Sequence, residues 1–306
     1  MLVYLNENIH PEAITELKKH AKITNDHMNT EIDAIIVRTE PVTREMMEHS
    51  KNLKVIGKHG IGYDNIDIDA AHDLGISVVY TPTANSQSVA ELIITLLLNV
   101  TRNIIPNHRR LVQGETQTNA PNDLIGNELL GKKMGFIGLG NVALLTGDIL
   151  RKGFSVDLLG YDPYVTTEKA ASHGITKTES LQEMLPEVDF INVSVPLTES
   201  TKNIISMREL KMCKKSAILI NTSRGGTVNE RDLYVALSNN ILKAAASDVF
   251  NIEPPRKDHP LLSLDNFIAT PHIGASTDEA MYRMGKTVVQ EVISVLNGKK
   301  ASYQVI

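Results

Sequence analysis

The chain has 306 residues, 42% of them hydrophobic and 22% charged, which gives room for two domains with sizeable cores and excludes a disordered chain. Its net charge is -5 and it carries no Lys/Arg run, so no nucleic-acid partner is expected and any anion must be held by individually placed residues. The single cysteine, Cys213, excludes an internal disulfide, and no Cys/His cluster offers metal-ligand spacing, so no metal is expected. There is no basic leader, and the longest apolar stretch, 92–100, is interrupted by Thr95 and Asn99 and is too short to span a bilayer. A cytoplasmic chain with no membrane partner is the expectation.

In chain order, residues 1–100 alternate strand-like and helix-like segments. Strands are predicted at 1–5, 33–38, 53–57 and 76–80, with helices at 12–20, 43–49 (capped by Thr43) and 68–74 (closed by Gly75). Buried strands about twenty residues apart with helices between them predict a parallel sheet. Residues 85–100 form a strongly apolar helix with Ser86 or Ser88 as cap and Glu91 at the capping-box position. Residues 101–131 change character and read as a helical arm followed by an exposed connection. From Lys132 the alternation restarts, with strands at 133–138, 155–161, 190–195, 217–221, 244–249 and 267–270, and a last helix at 277–296. Six such strands with intervening helices suit a doubly wound dinucleotide domain.

The sharpest local signal is Gly138-Leu139-Gly140-Asn141-Val142-Ala143, a G-x-G-x-x-A run between a strand and a helix. The first glycine permits a tight turn, the second lets backbone approach a pyrophosphate, and Ala143 lets helix and strand pack closely. Alone, the motif also marks ordinary strand-to-helix turns. Asp162 adds support. It lies 22 residues after Gly140 and ends the next strand, where a carboxylate bonds the adenosine ribose and repels a 2′-phosphate, favouring NAD over NADP.

Three segments at strand ends carry groups suited to hydride transfer. Arg224, between Ser223 and Gly225, can hold a carboxylate in a bidentate fork. Glu253 precedes two prolines. His272 follows a strand and precedes a small-residue turn, and a neighbouring carboxylate would stabilise its imidazolium. Taken singly, Arg224 reads as a loop arginine and Glu253 as a surface glutamate. Of the other histidines, His10, His20, His49 and His72 are expected to face solvent.

Together these segments resemble the D-isomer-specific 2-hydroxyacid dehydrogenase family, in its phosphoglycerate dehydrogenase-like short form. The matching runs are GKHGIGYDNID (57–67), NSQSVAEL (85–92), ELLGKKMGFIGLGNVA (128–143), PLTESTKNII (196–205), NTSRGG (221–226), SDVFNIEPP (247–255) and TPHIGAS (270–276), in family order over nearly the whole chain. The resemblance implies an α/β fold of two doubly wound parallel-sheet domains: a flavodoxin-like substrate domain (1–100 plus 280–306) and a Rossmann NAD domain (101–279). The active site is expected in the cleft between them, with hinge closure over it.

The resemblance also implies roles for individual residues. Arg224, Glu253 and His272 become the catalytic set, with Arg224 on the substrate carboxylate and carbonyl, Glu253 orienting His272, and His272 as acid/base. Gly138, Gly140, Asn141, Val142, Asp162, Thr222, Asp248 and Val89 become cofactor contacts, Asp248 on the nicotinamide carboxamide. His59, Gly60, Ile61 and Gly62 become the loop that cradles the substrate carboxylate.

Arg38 and Lys58 resemble basic positions that phosphoglycerate dehydrogenases use around the substrate's anionic end. Lys58 reads equally well as a snorkelling surface side chain, and the charge of Glu40 weakens the phosphate case. Ser194 stands where many relatives carry histidine. The expected activity is NAD-dependent oxidation of D-3-phosphoglycerate or a related small 2-hydroxy acid, with glyoxylate/hydroxypyruvate reduction as the alternative and an NAD-sensing corepressor as the alternative of another class. A homodimer without a regulatory domain is expected, its partner molecule a small 2-hydroxy or 2-oxo acid.

Overall fold

A computed structural model describes residues 1–115, 122 and 125–306. The part of the expected connection at 116–121 and 123–124 lies outside the described residues. The chain forms two compact units, Met1–Ser88 with Ala275–Ile306, and Val89–Gly274.

The first unit holds a five-stranded parallel sheet of β1 (Leu2–Tyr4), β2 (Lys22–Thr24), β3 (Ala34–Val37), β4 (Val55–Lys58) and β5 (Ser77–Val79), in the order 2-1-3-4-5. This is the flavodoxin-like order. Successive strand residues point to opposite faces. Val3, Ala34, Ile36 and Val55 pack under α1 (Pro11–Lys18) and the C-terminal helix (Asp278–Leu296), through Ala13, Leu17, Val288, Val289 and Val292. Tyr4, Ile35, Val37 and Ile56 pack on the other face with α2 (Arg44–His49) and α3 (Ile68–Asp73), through Met47, Ala70 and Ala71. The C-terminal segment then covers the free edge of β5: Val305 N–H donates to Val78 O and Tyr80 N–H to Tyr303 O.

The second unit begins in α4 (Ser86–Thr101), followed by α5 (Ile104–Val112), β6 (Lys133–Ile137), α6 (Asn141–Phe154), β7 (Asp157–Tyr161), α7 (Thr167–Ser172) and β8 (Ile175–Lys177). The chain continues with α8 (Leu181–Met184), β9 (Phe190–Val193), α9 (Met207–Leu210), β10 (Ile218–Asn221), α10 (Glu230–Ser238), β11 (Ala244–Ser247) and β12 (Phe267–Ala269). Seven parallel strands run 12-11-10-9-6-7-8. Counted from β6, that is the Rossmann order 3-2-1-4-5-6 with a seventh strand added at one edge. Alternate residues again divide two cores: Phe136, Ile218 and Ile220 pack with α4 and α6, while Ile137, Leu219 and Ala245 pack with α8 and α10.

Three expectations need correction. The sheets have five and seven strands, where the sequence pattern predicts four and six. The extra strands, β2 and β8, are three-residue edge strands with partly exposed side chains, too short to show an apolar run. The units divide at 88/89 and 274/275, and not at the expected 100/101 and 279/280. The apolar helix α4 accounts for the first shift, because Val89, Ile93, Ile94 and Leu97 share one core with Met134 and Phe136. Finally, the His10 side chain is only 13% exposed; it caps α1 at the Glu12 N–H and lies edge-on to Tyr282. No single described helix is long and apolar enough to cross a membrane.

Candidate active site

The glycine turn follows β6, next to the point where the strand order reverses. Gly138 has φ +91°, and a Cβ there would stand 2.6 Å from Ser194 O at the end of β9, so the turn admits no side chain. Gly140 is the N-cap of α6 and supplies no side-chain cap, while Ala143 is fully buried behind it. The first N–H groups of α6, including those of Asn141 and Val142, therefore receive no side-chain cap from Gly140, and they lie at the positive end of the helix dipole. Asp162 lies just past β7. Its Oδ2 accepts from Leu139 N–H (2.9 Å) and its Oδ1 from Tyr164 N–H (2.8 Å), which ties the acid to the glycine turn. This cradle fits the pyrophosphate and ribose of a dinucleotide.

Three loops at the same ends of β10, β11 and β12 carry Arg224, Glu253 and His272. The Arg224 loop is tied by buried polar groups: Asn221 Oδ1 accepts from Ser223 N–H and Oγ–H, and Thr227 Oγ–H donates to Arg224 O. Arg224 Nη1 donates to Ser223 O at 2.7 Å, and Thr222 is half-buried beside it. A Cβ on Gly225 would lie 2.0 Å from Phe250 O, so this loop and the Glu253 loop meet backbone to backbone. Glu230, in the first turn of α10, takes Asn251 N–H at 2.7 Å and holds that second loop from the other side.

Glu253 bridges to the third loop. Its Oε1 accepts from Phe250 N–H (2.9 Å), and its Oε2 meets His272 Nδ1 at 2.7 Å. Burial works to raise its pKa, but the hydrogen bonds from His272 and Phe250, with the charges of His272 and Arg224, hold the carboxyl below its usual range. His272 has φ +53°, a left-handed conformation uncommon outside glycine. Asp248 holds it there. The Asp248 backbone carbonyl accepts from His272 N–H, Oδ1 accepts from Thr270 Oγ–H and Ile273 N–H, and Oδ2 accepts from Gly274 N–H. Asp248 is 1% exposed, and both its oxygens serve the 270–274 turn. Val89 is also buried and borders Gly274.

In the first unit, the residues assigned to substrate form one neighbourhood, though not all of them face outward. The Gly60 N–H is taken by Lys58 O, which leaves the N–H groups of Ile61 and Gly62 without an acceptor among the described residues. His59 is 2% exposed, and its pKa is pushed down to about 4 by burial and then by the positive charge of Arg38. Lys58 is buried, not snorkelling: its Nζ donates to Arg38 O and to Asn65 Oδ1. Glu40 turns to Tyr4, whose hydroxyl donates to both carboxylate oxygens and whose pKa is pushed up to about 12 by burial and by that contact.

The residues that sequence reasoning missed are Asn221, Thr227, Glu230, Asn65 and Glu7. Each is a polar residue in a loop or at an element's end whose partners are distant or backbone, and nothing local marks it. Ser194 Oγ–H donates to Asn192 Oδ1.

Strand order, glycine turn and acid define the second unit as a Rossmann dinucleotide-binding domain that carries an arginine, a glutamate and a histidine on one sheet edge. Residues 94–274 match the family model described as D-isomer specific 2-hydroxyacid dehydrogenase, NAD binding domain. The chain is 42% identical, over 95% of its length, to D-3-phosphoglycerate dehydrogenase of Methanocaldococcus jannaschii, and spans 55% of that protein, about half. It is 38% identical, over 96% of its length, to hydroxypyruvate reductase of Thermotoga maritima, and spans 98% of that protein. A crystal structure of a Thermus thermophilus protein superposes with a TM-score of 0.93 at 27% identity, covering 100% of both chains. The chain belongs to the D-isomer specific 2-hydroxyacid dehydrogenase family, and its second unit is that family's NAD-binding domain.

Proposed function

We propose that the protein is an NAD-dependent oxidoreductase that interconverts a D-2-hydroxy acid and its 2-oxo acid. The observation that carries this reading is the His272–Glu253 contact at 2.7 Å, within the field of Arg224, on a Rossmann sheet edge. Bound NAD would supply the hydride acceptor. Gly138, Gly140 and the N–H groups of Asn141 and Val142 would hold its pyrophosphate, and Asp162 its ribose. Arg224 binds the substrate's carboxylate and polarises the C2 oxygen. His272 takes the hydroxyl proton in oxidation and returns it in reduction, while Glu253 fixes the ring and stabilises its charged form. Asp248 fixes the turn that carries His272, with Thr222 and Val89 beside the nicotinamide end. The N–H groups of Ile61 and Gly62, in the turn after His59 and Gly60, offer an anion site to a carboxylate.

D-3-phosphoglycerate is the first substrate in this reading, on the strength of the Methanocaldococcus relative and of Arg38. Hydroxypyruvate or glyoxylate is the second, favoured by a relative that this chain matches nearly end to end. A homodimer in the cytoplasm completes the proposal on family resemblance. The test is NADH oxidation with 3-phosphohydroxypyruvate, hydroxypyruvate, glyoxylate and pyruvate, repeated with NADPH. Turnover of one or more acids with NADH preferred supports the reading. Tight NADH binding without turnover of any of them overturns it, and a strong NADPH preference overturns the role of Asp162.

A further inference from the structure

The loop that leaves β11 presents two successive backbone N–H groups, those of Phe250 and Asn251, and two different carboxylates take them. Phe250 N–H donates to Glu253 Oε1 at 2.9 Å, whereas Asn251 N–H donates to Glu230 Oε1 at 2.7 Å. The two peptide planes meet at the Phe250 Cα, and each is rigid in itself. Glu230 therefore sets the direction in which the chain leaves Phe250, and with it the path of the segment 251–253 that returns Glu253 to the Phe250 N–H. Glu230 sits in the first turn of α10, where Asn229 caps the helix at the Asp232 N–H, so its own backbone is fixed.

His259 holds the other oxygen of Glu230. Its Nε2 meets Glu230 Oε2 at 3.3 Å, and the two side chains are 20% and 19% exposed, so water competes little for the contact. The ring Nδ1 is buried with no partner among the described residues, which leaves Nε2 as the ring's polar contact. His259 directly precedes the 3-10 turn Pro260–Ser263, and its ring stands edge-on to Phe250 with 5.3 Å between centroids. Phe250 is buried and stands edge-on to Phe267 of β12 in turn. One ring thus touches both the carboxylate that holds Asn251 and the side chain of the residue whose N–H holds Glu253.

We propose that Glu230 and His259 are positioning residues for the reaction: Glu230 clamps the Asn251 N–H, His259 clamps Glu230, and together they hold Glu253 Oε2 against His272 Nδ1. Neither group exchanges a proton with the substrate. Loss of the clamp displaces Glu253, while the glycine turn keeps its tie to Asp162 and the Arg224 loop its ties to Asn221 and Thr227. This inference rests on the oxidoreductase reading given above.

The test measures single-turnover hydride transfer, KM for the preferred 2-oxo acid and NADH affinity. It uses wild type, Glu230→Ala, Glu230→Gln, His259→Phe and the combination of Glu230→Ala with Glu253→Gln. Glu230→Ala should slow transfer roughly 10–100-fold, the scale of a small misplacement of a reacting group, with KM and NADH affinity within about twofold of wild type. Glu230→Gln keeps an oxygen for the Asn251 N–H and should recover most of that rate. His259→Phe keeps a ring against Phe250 but loses the contact to Glu230, and should slow transfer a few-fold. On the Glu253→Gln background, Glu230→Ala should add almost nothing, because its effect passes through the Glu253 carboxylate. Unchanged NADH affinity reports that a variant is folded, and Glu230→Gln and His259→Phe carry the test should Glu230→Ala fold poorly. Transfer within about twofold of wild type in folded Glu230→Ala or in His259→Phe overturns the inference. A full additional loss on the Glu253→Gln background overturns it too, as does equal loss in Glu230→Gln and Glu230→Ala. Those outcomes with an active wild type overturn this inference alone, whereas wild type that reduces no 2-oxo acid overturns the oxidoreductase reading and this inference with it.

Discussion

The strand ends of the second sheet and the charged neighbourhood around residues 38–65 of the first unit use ionisable residues in opposite ways. On the second sheet, Arg224, Glu253 and His272 remain partly exposed, while buried Asp248 and Asn221 bind the backbone of their loops. In the first unit, Glu7 serves the backbone and hydroxyl of the 38–40 turn, Glu40 the buried hydroxyl of Tyr4, and Lys58 the Arg38 carbonyl and the Asn65 side chain, while the Arg38 guanidinium bonds Ser276. A charged side chain beside a motif is thus no guide to a ligand until the partners it already serves are counted.

The comparison can be broken most severely at Glu253. Glu253→Gln removes the anion that faces His272 and leaves an amide to serve both that ring and Phe250 N–H. kcat should fall roughly 10²–10⁴-fold in steady-state assays, with NADH affinity kept. A smaller effect on the scale of free energy comes from His59. The unfolded chain binds a proton at this residue below its ordinary value near 6.5, whereas the folded chain does so only near pH 4, so the unfolded state gains protons first and stability falls as pH drops through that window. The loss should reach about 3 kcal/mol in urea unfolding between pH 7 and pH 4 and should shrink in His59→Gln.

Gly225→Ala tests the backbone contact between the Arg224 and Glu253 loops. It should lower kcat/KM roughly 10²-fold, because the two groups are pushed apart while the cores stay intact. Lys58→Met tests the inward-facing cations. It strips a donor from Arg38 O and Asn65 Oδ1 and should cost about 1–3 kcal/mol in urea unfolding. The exposed neighbour Lys51→Met should change stability by no more than about 0.5 kcal/mol.

Much of this architecture was legible in the chain itself. Strands with continuous apolar runs, such as DAIIVR and AILIN, announce buried parallel sheets, and β2 and β8 escape because three residues at a sheet edge carry no such run. Gly138, Asp162, Arg224, Glu253 and His272 were visible because each sits at or within a few residues of a strand end in a motif of fixed spacing. Glu7, Glu230 and Ser276 were not, because each acts on residues far away in sequence, 31 positions in the case of Glu7 and Arg38 and 238 in the case of Ser276. Lys58, whose place in GKHG suggested an anion contact or a surface stem, is buried and so is no surface stem, with its Nζ donating to Arg38 O and Asn65 Oδ1.

The central claim is that His272 moves the substrate proton within a set that Glu253 and Arg224 complete. The most direct measurement is single-turnover reduction of the preferred 2-oxo acid by NADH in wild type and His272→Gln, alongside NADH binding by fluorescence. NADH affinity should be unchanged, with hydride transfer slowed roughly 10²–10⁴-fold. Near-normal transfer in His272→Gln would contradict the claim.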